Sequence, residues 1–392
     1  MTSPIPSKDP IVLVTGASGY IALHVVQQLL QQGFRVRGTV RSLHNKTKVG
    51  PLRAMQNADR LLELVEADLM NAEDWPKVID GCTFVLHVAS PWPIVADEST
   101  VKTALAGTTN VLQAAAKCPS VRKVVITSSC AAINGGDLLC MNCLLKDCTL
   151  LQTDTRTTSE CSTSTAGRTC QSKRVEFYAR SKTLAERKAW DFWKSLPEDS
   201  RYQLTVLNPT FVTGPCLSTV EHGSATIIGR MMSFTTFLAA PKVCLGVVDV
   251  RDVARAHILA MQNSKTDGER ILITHEQPVW FGDMRNWLKQ EFKGHGYVIS
   301  PITAPNWAVR LYAKTSLDKQ SSAIIHRLGP ELRFSNKKSR DLLQMTYIDP
   351  RRSRPARPQS SALRKEAGED APATDDLPLF FAADLAKNEL GF

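Results

Sequence analysis

The sequence predicts an α/β protein, a doubly wound parallel sheet with a smaller C-terminal lobe. Three observations carry that expectation. Short buried apolar runs alternate with segments of helical apolar spacing over the first two hundred residues. A glycine-rich turn joins the first such run to the first helical segment. After Pro209 the alternation loosens, and Trp, Pro and Phe become frequent.

Taken in order, residues 11–14 (IVLV) read as a short buried strand, 21–32 as a helix stopped by Gly33, and 34–40 as a second strand. Apolar runs of strand length recur at 62–65, 83–88, 123–127 and 203–207, with helical segments near 102–117 and 178–195 between the later ones. Strands alternating with helices imply a parallel sheet covered on both faces, with crossovers of one hand. The first domain is expected over 1–208 and the lobe over 209–350. Residues 243–263, which contain Val247-Val-Asp-Val250 and a helical pattern after it, are expected to return to the first domain. Two stretches break the pattern. Residues 137–175 mix Cys, Thr, Ser and Arg with no sustained period and are long for a structureless connection, so they read as an atypical, poorly ordered insertion or as translated sequence that splicing would remove. Residues 351–392 read as a flexible tail.

Composition narrows the class. A chain of 392 residues that is 43% hydrophobic and 22% charged can bury a full core, which excludes disordered, collagen-like and disulfide-stapled classes. The opening MTSPIPSKDP has no apolar signal region and no run of roughly 18 apolar residues occurs, so a soluble, cytoplasmic protein without a membrane span is expected. The ten cysteines are then expected to be thiols. Cys140-x-x-Cys143 with Cys148 lacks a second pair at zinc spacing, so no metal site is expected. Arg351, Arg352, Arg354, Arg357, Arg364 and Lys365 cluster in a Pro/Ser-rich stretch that reads as solvated and flexible, and the net charge of +10 is not taken to imply a nucleic-acid partner. A small ligand bearing several phosphates accounts for basicity equally well.

Thr15-Gly16-Ala17-Ser18-Gly19-Tyr20-Ile21 follows a strand and opens a helix. In that context glycines allow a tight turn, and backbone N–H groups at the helix start approach a pyrophosphate, so the turn is expected to bind a dinucleotide, as in a Rossmann-type domain, over the alternative of a decorative turn. Ala22 stands where a third glycine is usual. The second strand ends at Thr39-Val40-Arg41 with no Asp or Glu to hold a ribose 2′-hydroxyl. Arg41, with Lys48, would instead attract a 2′-phosphate, which favours NADP over NAD unless both are simply surface cations. Asp68 ends the next strand, where its carboxylate would either accept from an adenine amino group or cap a helix. Val88-Ala89-Ser90 ends the fourth strand on the same edge.

Tyr178-x-x-x-Lys182 places a phenol and an ammonium one helical turn apart. A neighbouring cation stabilises phenolate and draws a tyrosine toward the working pH range. Ser128 and Ser129 follow the 123–127 strand, where a hydroxyl would hydrogen-bond a carbonyl oxygen as negative charge develops on it. His24, His87 and His257 sit in apolar patterns and read as structural; Asp249 and Asp252 read as turn and cap residues, and Trp190 and Trp193 as packing.

The glycine turn, Thr127-Ser128-Ser129 and Tyr178-x-x-x-Lys182, in this order, resemble an extended short-chain dehydrogenase/reductase. VTGASGYIALHVVQQLL, TVRS, VLHVASPWP, ITSSCAAING, YARSKTLAERKAW, LNPTFVTGP and VDVRDVARAHILAM are similar to its dihydroflavonol-4-reductase and cinnamoyl-CoA reductase-like group. The likeness covers 10–136 and 177–350, and the stretch between serine and tyrosine departs from it. The resemblance implies Ser129, Tyr178 and Lys182 as catalytic residues. It implies an NADP(H) site lined by Gly16, Ser18, Gly19, Tyr20, Ile21, Arg41, Lys48, Asp68, Leu69, Val88, Ala89, Ser90, Tyr178, Lys182, Pro209 and Val212. Asn134, with Ser129 and Tyr178, would touch a small-molecule carbonyl substrate. The implied reaction is hydride transfer from NADPH to a ketone or aldehyde carbon. A sugar-nucleotide epimerase, a hydroxysteroid dehydrogenase/isomerase and a non-catalytic NADP-binding regulatory protein are the alternatives. No sequence feature fixes an oligomeric state.

Overall fold

The computed structural model describes residues 10–91, 96–134, 177–218, 223–234, 237–292, 297–315, 325–329 and 331–352. The whole of the 137–175 stretch, and all of the expected tail except Arg351 and Arg352, lie outside them.

Strand β1 (Ile11–Val14) leads through the glycine turn into α1 (Tyr20–Gln31). Helix α1 buries Leu23, Val25, Val26, Leu29 and Leu30 along one stripe, each fully buried aliphatic side chain contributing about 1.5–3 kcal/mol. Gly33, at φ +81°, ends it in the left-handed conformation that glycine adopts without steric cost. There follow β2 (Arg35–Val40), α2 (Lys46–Arg53), the short α3 (Ala58–Leu61), β3 (Leu62–Glu66), α4 (Asp74–Ile79), β4 (Phe84–His87), α5 (Glu98–Lys117) and β5 (Lys123–Thr127). The four-residue α6 (Ala131–Asn134) precedes α7 (Phe177–Ser195) and β6 (Gln203–Pro209).

Seven strands form one sheet in the order β11-β6-β5-β4-β1-β2-β3, β11 being Glu269–Ile273, with every neighbouring pair parallel. Alternate strand residues feed opposite cores, as the two-residue period of a strand requires. Val12 and Val14 of β1 and Val125 of β5 join the core beneath α1, whereas Leu13, Val124 and Ile126 join the core beneath α4, α5 and α7.

After β6 come β7 (Phe211–Thr213), α8 (Gly223–Met231), β8 (Ala240–Pro241), β9 (Cys244–Leu245) and β10 (Val247–Asp249). Helix α9 (Val250–Gln262) then packs on α1, and β11 (Glu269–Ile273) becomes the sheet's edge strand beside β6. Within and after the 243–263 stretch, Val243, Leu245 and Val247 belong to the lobe's core, whereas α9 lies on the first core and β11 completes the sheet through its non-local pairing with β6. The lobe adds β12 (Val279–Trp280), α10 (Phe281–Glu291), β13 (Thr303–Ala304) and α11 (Asn306–Lys314) around a third core that includes Met231, Phe281, Met284 and Phe292. Helix α12 (Lys337–Leu343) comes back to the first core, where Leu343 and Met345 are buried. No helix among the described residues is long and apolar enough to cross a membrane.

Candidate active site

The sheet order reverses between β1 and β4, and ligands of such sheets lie at the carboxyl ends of the strands flanking that point. The glycine turn sits there. Gly16 has φ +62°, and a Cβ on it would meet the Ala89 Cβ at 2.9 Å, so only glycine fits between the turn and the end of β4. The Gly16 N–H donates to Thr39 Oγ1 at 2.9 Å and Ala17 N–H to the Thr39 carbonyl at 2.8 Å, which fixes the turn to β2. Thr15 Oγ1 accepts from the Ala89 N–H at 3.0 Å and meets His87 Nδ1 at 3.0 Å, which fixes it to β4.

Gly19 is the N-cap of α1; no side chain caps it, and the first turn carries no acidic residue. The positive end of the helix dipole is left for an anion. Of the expected turn residues, Tyr20 commits its phenol elsewhere: it donates to the Gly214 carbonyl at 2.8 Å, and His24 Nε2 meets the Pro215 carbonyl at 2.9 Å.

Arg41 follows β2 and is exposed, and Lys48 lies in the first turn of α2. The loop between them is held by Glu66, which accepts from the Leu43 N–H at 2.7 Å. Asp68 is not a helix cap, which corrects that alternative: α4 begins only at Asp74, and Asp68 Oδ1 accepts from the Met70 N–H at 2.8 Å in a local turn. The Leu69 carbonyl accepts from Asn110 Nδ2 at 2.9 Å. Pro209 ends β6, its carbonyl accepting from Cys130 N–H at 2.9 Å, and Val212 is buried in β7.

The other half of the site comes from β5 and α7. Ser129 is almost buried after β5, and its Oγ accepts from the Ala131 N–H at 3.1 Å. Tyr178 packs on Ala131 and Ala179, which brings the start of α7 against the turn that carries Ser129. Lys182 Nζ lies 5.6 Å from the Tyr178 ring centroid and donates to Ser90 Oγ at 2.8 Å, joining α7 to the end of β4. Lys182 is only 7% exposed; burial pulls its pKa down to about 8, against an upward pull from Glu186. Asn134 closes α6, and its side chain lies outside the described set.

Sequence reading missed Glu186 and Asn208. Glu186, one turn beyond Lys182, receives the hydroxyl of Ser128, the side-chain amide of Asn208 at 2.8 Å and the guanidinium of Arg270. Asn208 Nδ2 also donates to the Ser129 carbonyl at 3.0 Å. The sequence signal was the continued four-residue spacing 178, 182, 186; its partners on β6 and β11 are adjacent only in space.

The structural readings of the remaining singled-out residues hold except for Asp252, which lies inside α9 and is neither its cap nor a turn residue. His24, His87 and His257 are buried with pKa values pushed down to about 4 by that burial. Asp249 caps α9 by accepting from the Arg251 N–H at 2.8 Å, while Asp252 accepts from the Ile348 N–H at 2.7 Å and so fastens the segment after α12. Trp190 and Trp193 pack edge to face, with centroids 5.8 Å apart. The five described cysteines are free thiols.

Comparison with known proteins follows the same boundaries. The family model described as "NAD dependent epimerase/dehydratase family" matches residues 12–273, from β1 to the last residue of β11. Cinnamoyl-CoA reductase CAD2 of Medicago truncatula is 36% identical over 269 residues, covering 67% of this chain and 76% of that protein. Tetraketide alpha-pyrone reductase 1 of Arabidopsis thaliana is 33% identical over 263 residues, 66% of this chain and 75% of that protein. Among solved structures, the yeast methylglyoxal/isovaleraldehyde reductase Gre2 complexed with NADPH superposes with a TM-score of 0.64 at 25% identity, over 88% of this chain and 95% of that one. Vestitone reductase from alfalfa, at 22% identity and a TM-score of 0.57 over 86% and 93% of the two chains, shares the fold.

Proposed function

Because the chain belongs to the NAD dependent epimerase/dehydratase family, as an NADP(H)-dependent oxidoreductase of its dihydroflavonol and cinnamoyl-CoA reductase-like group, we propose that it reduces a ketone or aldehyde carbonyl of a small organic molecule with a Tyr-Lys-Ser mechanism. NADPH, when bound, supplies the hydride. The turn at Gly16, Ser18 and Gly19 and the uncapped start of α1, through the amides of Tyr20 and Ile21, would receive the pyrophosphate. Arg41 and Lys48 would receive the 2′-phosphate. Asp68, Leu69, Val88, Ala89, Pro209 and Val212 would line the remainder.

Tyr178 would hand a proton from its phenol oxygen to the carbonyl oxygen. The Lys182 ammonium beside it favours the phenolate that remains, so proton transfer at neutral pH becomes less costly. The Ser129 hydroxyl would hold the carbonyl oxygen as charge develops there, and Asn134 would touch the same substrate.

The observation that supports this reading best is the position of Lys182, a buried cation set between the Tyr178 ring and Ser90 at the nucleotide edge of the sheet. Of the named relatives, one is a reductase of methylglyoxal and isovaleraldehyde, carbonyls of that class, and another a reductase of a cinnamoyl-CoA, an acyl thioester. The test is absorbance of NADPH and NADH with a panel of aldehydes, ketones and acyl-CoA thioesters, with Tyr178→Phe as control. Consumption of NADPH that the control lacks is expected. Equal rates for both chains across the panel would defeat the proposal.

A further inference from the structure

We propose that Glu186 is a positioning residue of this site: its buried carboxylate clamps the Ser128–Ser129 turn and the ends of β6 and β11 to the helix carrying Tyr178 and Lys182, and acts as counter-charge to the Lys182 ammonium. The inference rests on the reductase reading only for its consequence in catalysis; the electrostatic part stands on the side chains themselves.

Residues 178, 182 and 186 of α7 follow the four-residue spacing that stacks side chains on one helix face. Glu186 is 5% exposed, and desolvating a carboxylate is costly unless hydrogen bonds and charge compensate it. The compensation comes from three elements. Ser128 after β5 and Asn208 in β6 donate to one carboxylate oxygen, and Arg270 in β11 donates to the other. Asn208 spends its second N–H on the Ser129 carbonyl, so one amide ties the main chain of the proposed carbonyl-holding serine to Glu186. Any shift of Glu186 is therefore felt at Ser129 through two hydrogen bonds.

The groups facing Lys182 make the charge argument specific. On its own helix these are Tyr178 and Glu186; from β4 comes neutral His87, and from the β4 end the Ser90 hydroxyl. Arg180 on the same helix turns outward to Glu98 on α5 at 3.0 Å. Among the described residues Glu186 is thus the carboxylate that favours the protonated lysine, and Arg270 pairs with its Oε1. Removing the two charges separately must move Lys182 in opposite directions, which a loss of packing cannot mimic.

The experiment uses the full chain with lysine selectively labelled with ¹³C at Cε, the Lys182 resonance being assigned by its loss in Lys182→Arg. Its titration midpoint is followed by NMR in the wild type, Glu186→Gln and Arg270→Gln. The midpoint is expected to fall by about half to one pH unit in Glu186→Gln and to rise in Arg270→Gln. The alkaline limb of NADPH-dependent carbonyl reduction is expected to move the same two ways. Coincident midpoints, or shifts of one sign in both variants, overturn the positioning role. If Glu186→Gln does not fold, Glu186→Asp decides: with the charge kept, the Lys182 midpoint is expected to stay near the wild-type value while kcat falls through the loosened contacts to Ser128 and Asn208, and an unchanged kcat overturns the positioning role. A wild type that reduces no carbonyl defeats the reductase reading, while the NMR midpoints still decide Glu186.

Discussion

Lys182 and Ser90, 92 positions apart in sequence, meet in a 2.8 Å hydrogen bond from Nζ to Oγ that links α7 to the carboxyl end of β4. The bond holds a buried ammonium against the carboxyl edge of the sheet, with Nζ 5.6 Å from the Tyr178 ring centroid. Through that contact two distant parts of the chain meet at one edge of the sheet.

Ser90→Ala removes the neutral partner of a buried cation. A hydrogen bond to a charged group is worth about 1.5–3 kcal/mol, so kcat/KM for NADPH-dependent carbonyl reduction is expected to fall about ten- to a hundredfold. Steady-state kinetics beside a thermal melt check this; a melt that drops as far as activity does would assign Ser90 to stability instead.

Gly16→Ala combines a left-handed φ with a Cβ 2.9 Å from the Ala89 Cβ. The backbone alone costs about 1–2 kcal/mol, and the overlap pushes the turn off the end of β4. Fluorescence titration should show NADPH affinity weakened about tenfold or more. Gly33→Ala is the internal control. Its φ is +81° but nothing lies within 4 Å of the added methyl, so it should lose stability and keep affinity.

Arg41→Asp puts a carboxylate where a 2′-phosphate would approach. Repulsion of that phosphate and acceptance from a free ribose hydroxyl act together, so the NADPH/NADH ratio of kcat/KM is expected to fall about a hundredfold. Arg41 is exposed, and the melting temperature should hardly move. An unchanged ratio would leave Arg41 as a surface cation.

His24, His87 and His257 give the fold a defined acid limit. Burial lowers each pKa from 6.5 to about 4, so between those values the unfolded chain binds protons that the folded chain refuses. Stability is complete above pH 6.5 and is lost as pH falls toward 4, by on the order of 3 kcal/mol per histidine. Urea denaturation at several pH values should show that slope, and His257→Asn, which removes one titrating ring, should flatten it. Equal slopes in the two chains would contradict the assignment.

Local chemistry made much of this molecule legible. Residues 11–14 and 123–127 are observed as strands at the expected bounds, since short apolar runs buried on both faces announce themselves without help from distant residues. The turn at Gly16 and Gly19 and the 178/182 spacing were equally local, and they pointed to the nucleotide edge and the reductase-like group. What the linear chain could not express was adjacency. Glu186 draws its partners from positions 128, 208 and 270; the seventh strand exists only by pairing with β6; Asp68 serves a turn and not a cap because α4 starts six residues later. Periodicity and turn chemistry act between residues a few positions apart and so can be read along the sequence. A buried carboxylate, an edge strand or a lysine's partner is settled by which distant groups compete for the same space, and only the folded sheet decides that.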